Sequence, residues 1–327
     1  MPSDSHTRSR SRSPSPTHAR YSHLLYLSEA ERSSYQTNVQ RSASSSSRSV
    51  RSTHSANSSV KSHSSNSTHK TSVKSILSPR FADDHYPLIT TIHPENIPAS
   101  VPKSHAALWC ARRMADIHNT IIRALNSSWN HAASVEPAQV EAFLHFNRLI
   151  FTTLDHHHKV EDDYMFPAYE KLLNRPGAME SNVKGHESFA EGLSIFHRYI
   201  TITKPDEFNG TTFRHIIESF APDLIQHLHD EIPTLASLHV LKSEDLMKIW
   251  KEAEHIATKD GDLYTDLPWT LTCQDKSFVI DGETSSFPDV PWLIEAVVRN
   301  WHARRYADVW KFSPSDLHGQ RRLMVGS

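Results

Sequence analysis

The sequence predicts an all-α protein: a four-helix up-down bundle with a disordered N-terminal tail and a Trp/Pro-rich C-terminal extension. Three observations carry this expectation. After residue 104, four stretches repeat apolar residues at helical spacing. Only 8 glycines occur in 327 residues, few for a loop-rich β fold. The first 80 residues hold 27 serines, with 12 Lys+Arg against 3 Asp+Glu. A segment of that composition cannot bury enough apolar surface to offset the entropy of ordering it.

Four regions follow: a Ser/Arg-rich tail over 1–80, a linker over 81–103, the bundle over 104–240 and a helical extension over 241–327 packed on the bundle. In the tail, "RSRSRSPSP" (8–16) resembles Arg-Ser dipeptide tails, and its Ser-Pro steps suit proline-directed kinases. Only "YSHLLYLSEA" (21–30) has the apolar content to order on a protein partner.

The first bundle stretch carries the stripe Ala111, Met114, Ala115, His118, Ile121, Ile122, Leu125. The second carries Phe143, Phe146, Ile150, Leu154, His157, Glu161, Met165. In the third the stripe is Val183, His186, Phe189, Leu193, Phe196, Ile200, and in the fourth Phe213, Ile217, Phe220, Leu224, His227, Glu231, Leu235. Polar or Gly/Pro connections such as "NRPG" separate them, as in a four-helix bundle. Pro222 and Pro233 each remove a backbone donor, so the fourth helix is expected to bend or break. Five of the seven tryptophans lie between Trp250 and Trp310, too much aromatic area for a free linker. They are expected to wrap the bundle.

Composition narrows the function classes. The formal net charge is −2, so no field across the whole chain points to nucleic acid or a membrane surface. No apolar run reaches the ~18 residues that span a bilayer. No secretory signal is visible, and Cys110 and Cys273 do not make a disulfide framework. A cytoplasmic protein is expected, and the basic tail also admits a nuclear location.

The chemistry lies in the interruptions of the stripes. Each stripe contains a histidine, and in the second and fourth a glutamate follows four residues later: His157 with Glu161, His227 with Glu231. Residues four apart share a helix face, so each pair points into the bundle. Buried carboxylates without partners are expensive, and a cation is the simplest common partner for two glutamates and four histidines. Imidazole and carboxylate together suit iron, manganese or zinc, with no thiolate in the set. Four imidazoles and two bridging carboxylates match a dinuclear centre.

Here the sequence resembles the hemerythrin-like, or His-His-Glu cation-binding, family. "HHKVEDDYMFP" is similar to its His-x-x-x-Glu-Glu-x-x-x-Phe-Pro signature, with Asp162 in the second acidic place. "IHNTIIRALN", "GHESF" and "HLHDEI" resemble its first, third and fourth ligand helices, and the extension resembles that of a fungal subgroup. The resemblance implies His118, His157, Glu161, His186, His227 and Glu231 as metal ligands, with two irons per chain. One departure stands out. Oxygen-carrying hemerythrins place a second histidine four residues after the third-helix one, where this chain has Ala190. That brings it closer to the sensor-like and regulatory branches.

The other histidines have plainer readings. His156 and His158 flank His157 by about 100° on the helical wheel and are expected to face solvent or a neighbouring helix. His158, three residues before Glu161, is the better substitute ligand. Asp155, Asp162 and Asp230 are placed to hydrogen-bond the outer nitrogens of ligand histidines, although exposed surface charge is the commoner fate of such residues. The functional expectation is a non-haem iron protein that reversibly binds or senses O2, NO or iron. A metal-dependent oxidase, peroxidase or hydrolase ranks below it, since no substrate-orienting motif is visible. A scaffold in which metal gates the Ser/Arg tail is the third reading.

Overall fold

A computed structural model describes residues 80–324. The Ser/Arg-rich tail and its 21–30 patch lie outside the described residues. Helix α1 (Ala106–His131) opens where the His105 ring accepts a hydrogen bond from the Ala107 amide, 3.1 Å. Its whole predicted stripe is buried. Helix α2 (Val140–Val160) runs directly into a π-helical turn (Glu161–Met165) and then α3 (Phe166–Leu173). In the π turn the Phe166 amide bonds back five residues to the Glu161 carbonyl. Pro167 follows at once, and its missing N–H and bulky ring disfavour an unbroken α ladder there.

Helix α4 (Glu180–Ile202) buries His186, Phe189, Leu193, Phe196 and Ile200. The fourth stretch breaks, as its prolines predict. Helix α5 (Gly210–Glu218) ends at Ser219, and α6 (Ala221–Ser237) begins with Pro222 in its first turn, where a missing N–H costs nothing. Pro233 is carried inside α6. Gly210 is required by a close approach, since a Cβ there would lie 2.0 Å from the Ala132 carbonyl oxygen at the end of α1.

Helices α1, α2, α4 and α6 form a closed ring: α1 packs on α2 and α6, and α4 packs on the same two. Inside one part of the ring Phe143 meets Phe213 and Phe312, each with ring centroids 5.1 Å apart. Each fully buried phenylalanine contributes about 1.5–3 kcal/mol of transfer free energy. Beyond the ring, α7 (Ser243–Thr258) lies on α1, α2 and the π turn, and α8 (Asp266–Cys273) on α1. A two-stranded hairpin, β1 (Val279–Ile280) and β2 (Glu283–Thr284), leads to α9 (Trp292–Asn300).

Two expectations change. Residues 81–103, read as a linker, form an arm that lies along α1, because α1 offers asparagines on one face. Asn119 accepts from the Ile89 amide (2.7 Å) and donates to its carbonyl (2.9 Å). Asn126 does the same for Tyr86, and Asn130 donates to Ala82. The tryptophans also divide. Trp250, Trp269 and Trp310 are buried, but Trp292 and Trp301 are 76% and 71% exposed on and just after α9, which packs on α8 and on the 3-10 turn after it. The arm finally meets the C-terminal segment in an antiparallel bridge between Phe81 and Leu323.

Candidate metal centre

The centre lies inside the ring, where α1, α2, α4 and α6 each present a histidine. His118 of α1 is fully buried and its Nδ1–H donates to the Leu228 carbonyl of α6 at 2.8 Å. That bond turns Nε2 inward, 3.1 Å from the Nε2 of His157. Glu161 opens the π turn one helical turn after His157. Its Oε1 is 3.1 Å from His157 Nε2, and its Oε2 is 3.5 Å from His186 Nε2 on α4. Glu231 answers from α6: its Oε2 is 3.6 Å from His118 Nε2 and 3.8 Å from His227 Nε2. Each glutamate thus spans two sets of imidazoles.

All six residues singled out in the sequence are brought together here. A seventh joins them. His158 is buried at 7% exposure, its ring 4.2 Å from that of His186 and 5.5 Å from that of His227. Of the two expected surroundings, solvent or a neighbouring helix, His158 takes the second, against α4. Its sequence signal was available: it lies four residues after Leu154 and three before Glu161, both buried, and the inward face of a bundle helix is wider than a single row. His156 is exposed and bonds the Ala257 carbonyl, and His229 bonds the Pro87 carbonyl of the arm.

The surroundings orient the donors. Asp162, in the π turn, accepts from His186 Nδ1–H at 3.0 Å and leaves Nε2 facing inward. Gly185 makes room for His227, since a Cβ at that position would come within 2.3 Å of the ring's Nδ1. Phe166 and Phe189 wall the imidazoles of α4 and α6.

Protonation follows from burial. Desolvation, reinforced by neighbouring imidazoles, keeps His118 and His158 well below the usual histidine range and His227 at about 2. His157 is lowered by burial even with Glu161 beside it. His186 goes the other way: burial lowers it, but Asp162 and Glu161 outweigh burial and hold it at about 10. Glu231 is raised well above the carboxylate range by burial and by Glu161. Neutral imidazoles offer lone pairs, and a metal ion would displace the remaining protons.

The residues fit a bound cation. Both oxygens of Glu161 and Glu231, and the Nε2 atoms of His158, His186 and His227, are buried without a hydrogen-bond partner. Native proteins rarely leave so many polar atoms unpaired in one place. The donors form two groups whose ligand atoms all lie within 4.8 Å of one another: His118, His157 and Glu161, then His158, His186 and His227.

A family model described as "Hemerythrin HHE cation binding domain" matches residues 111–237. The chain is 34% identical over 256 residues to "Dimeric xanthone biosynthesis cluster protein R11" of Cryptosporiopsis sp. (strain 8999). That alignment covers 78% of this chain and 96% of the relative. No solved structure matches the chain. No helix among the described residues is long and apolar enough to cross a membrane.

Proposed function

Because the chain belongs to the hemerythrin HHE cation-binding family, we propose that it binds two iron ions in the bundle and uses them to bind or sense O2, NO or iron itself. One observation carries this reading. Glu161 and Glu231 are buried, lack hydrogen-bond partners and each reach imidazoles of both donor groups. His118, His157, His186 and His227 supply lone pairs, and the two glutamates supply the negative charge.

When bound, iron would supply a Lewis acid that can also donate electrons to a diatomic ligand. The chain's own residues do the rest. Asp162 and the Leu228 carbonyl hold ring tautomers, so the nitrogens aimed inward do not rotate away. Phe166 and Phe189 keep water from the imidazoles. A donor set rich in histidine carries less negative charge than an all-carboxylate one, which favours reversible binding over oxygen activation.

The test is metal content by mass spectrometry on full-length protein purified anaerobically, beside a His157→Ala/Glu161→Ala double variant. Two irons per chain in the parent and clear loss in the variant support the reading. A folded parent that holds no metal after iron reconstitution ends it, and one zinc per chain transfers the weight to a hydrolytic site.

The relative's name favours a second reading, in which the centre serves the making of a natural product rather than ligand sensing. Deleting the gene and profiling aromatic metabolites separates the two. An unchanged profile removes the second.

A further inference from the structure

The ring order of the bundle gives consecutive residues of α2 two different neighbours. Helix α2 packs between α1 and α4. His157 turns toward α1, where its Nε2 meets that of His118 at 3.1 Å. His158, about 100° further round the helix, turns toward α4, where its ring lies 4.2 Å from that of His186. Its Nε2 is buried and has no hydrogen-bond partner, and one of its ring nitrogens lies within 4.8 Å of ring nitrogens of His186 and His227. Phe189 closes the other side, 5.2 Å from the ring. One turn after His186, where α4 could offer another imidazole to the same space, stands Ala190.

Three buried imidazoles crowded together are poorly placed without a guest. The Nε2 atoms of all three are buried without a hydrogen-bond partner, and buried polar atoms are rarely left so. An aromatic or aliphatic side chain at 158 would fill the space against Phe189 without leaving a polar atom unpaired. We propose that His158 is a metal ligand, the third imidazole of a set completed by His186 and His227.

The proposal rests on the cation-binding reading and deepens it. It makes the two metal positions unequal, three imidazoles on the α4 side against two on the α1 side, with Glu161 and Glu231 shared.

Cobalt(II) titration of metal-stripped full-length protein tests this, with a chelator in competition and the visible cobalt absorption recorded. The parent should take up two ions. His156→Ala, which removes an exposed neighbour, should behave as the parent does. His158→Ala should hold one ion at the parent's affinity and bind the second about tenfold or more weakly, with an altered spectrum. His158→Gln keeps a polar side chain of similar length in case the alanine variant misfolds, and circular dichroism checks both. Loss of one or both ions from a folded His158 variant supports the proposal. Two ions at parental affinity with a parental spectrum in both variants overturn it and leave the cation-binding reading standing. A folded parent that takes up no cobalt overturns both.

Discussion

Arg123 and Glu231 are both shut away from water, 1% and 0% exposed, yet their surroundings are opposite. Arg123, on α1, pairs with Asp83 of the N-terminal arm and with Asp275, 3.2 Å away, after α8. Arg321 then adds bonds of 2.6 Å to Asp83 and 2.8 Å to Asp84. This cluster answers its charges with protein. Around Glu231 the neighbours are imidazoles and another carboxylate, and the carboxylate oxygens have no hydrogen-bond partner. The difference sets a buried charge that the chain answers with its own residues beside a buried carboxylate whose oxygens the chain leaves unanswered.

Removing one partner from the Arg123 cluster should do the greatest damage. Asp83→Ala leaves a buried guanidinium short of a carboxylate, which costs about 3–5 kcal/mol. Urea denaturation should show that loss equally with and without metal. A metal-dependent loss would mean that the two clusters are not separate. Gly185→Ala comes next. The new Cβ pushes against the His227 ring, and overpacking of this kind costs about 1–3 kcal/mol. Its signature is weakened metal uptake together with lower stability, so a variant with parental metal content would contradict the geometry.

A smaller effect is expected from His131, at the end of α1. Burial, with Arg322 near, lowers its pKa to about 4, against about 6.5 in an unfolded chain. Between those values the unfolded chain takes a proton that the folded one excludes. The residue is therefore neutral in its effect above pH ~6.5 and destabilises the fold progressively as pH falls toward about 4. His131→Gln should flatten this part of the pH–stability curve by up to roughly 2 kcal/mol, since the ring is partly exposed. Parallel curves for parent and variant would refute it. The smallest change is expected from Glu231→Gln in metal-free protein, whose stability should be unchanged or slightly raised, because no partner is lost. The same variant should lose the rise in Tm that metal gives the parent. A large loss of metal-free stability would mean that Glu231 is answered within the chain after all.

Much of this is legible in the sequence. The inward rows of the four ring helices follow from spacing alone, and Pro222 marks the break between α5 and α6. The six candidate ligands stood out because a histidine or glutamate in an apolar row has to be answered by something. What escaped was whatever depends on which helix lies beside which. His158 sits at the margin of its row, and only the placement of α4 decides that this margin is buried. The arm at 81–103 reads as a linker because its amides and carbonyls bond to side chains of α1, and bonds of that kind leave no periodic trace. Trp292 and Trp301 look like core residues by type, yet both are exposed, and composition carries no direction.

The clasp at the two described ends has a consequence for anything joined to them. The Met324 amide donates to the Arg80 carbonyl at 2.9 Å, and the Ala82 amide to the Arg322 carbonyl at 2.8 Å. Both ends therefore leave the body at one spot on its surface. Modules fused before Arg80 and after Met324 by short flexible linkers would meet at millimolar effective concentration. A donor and acceptor fluorophore attached there would report, through their transfer efficiency, whether the clasp is closed.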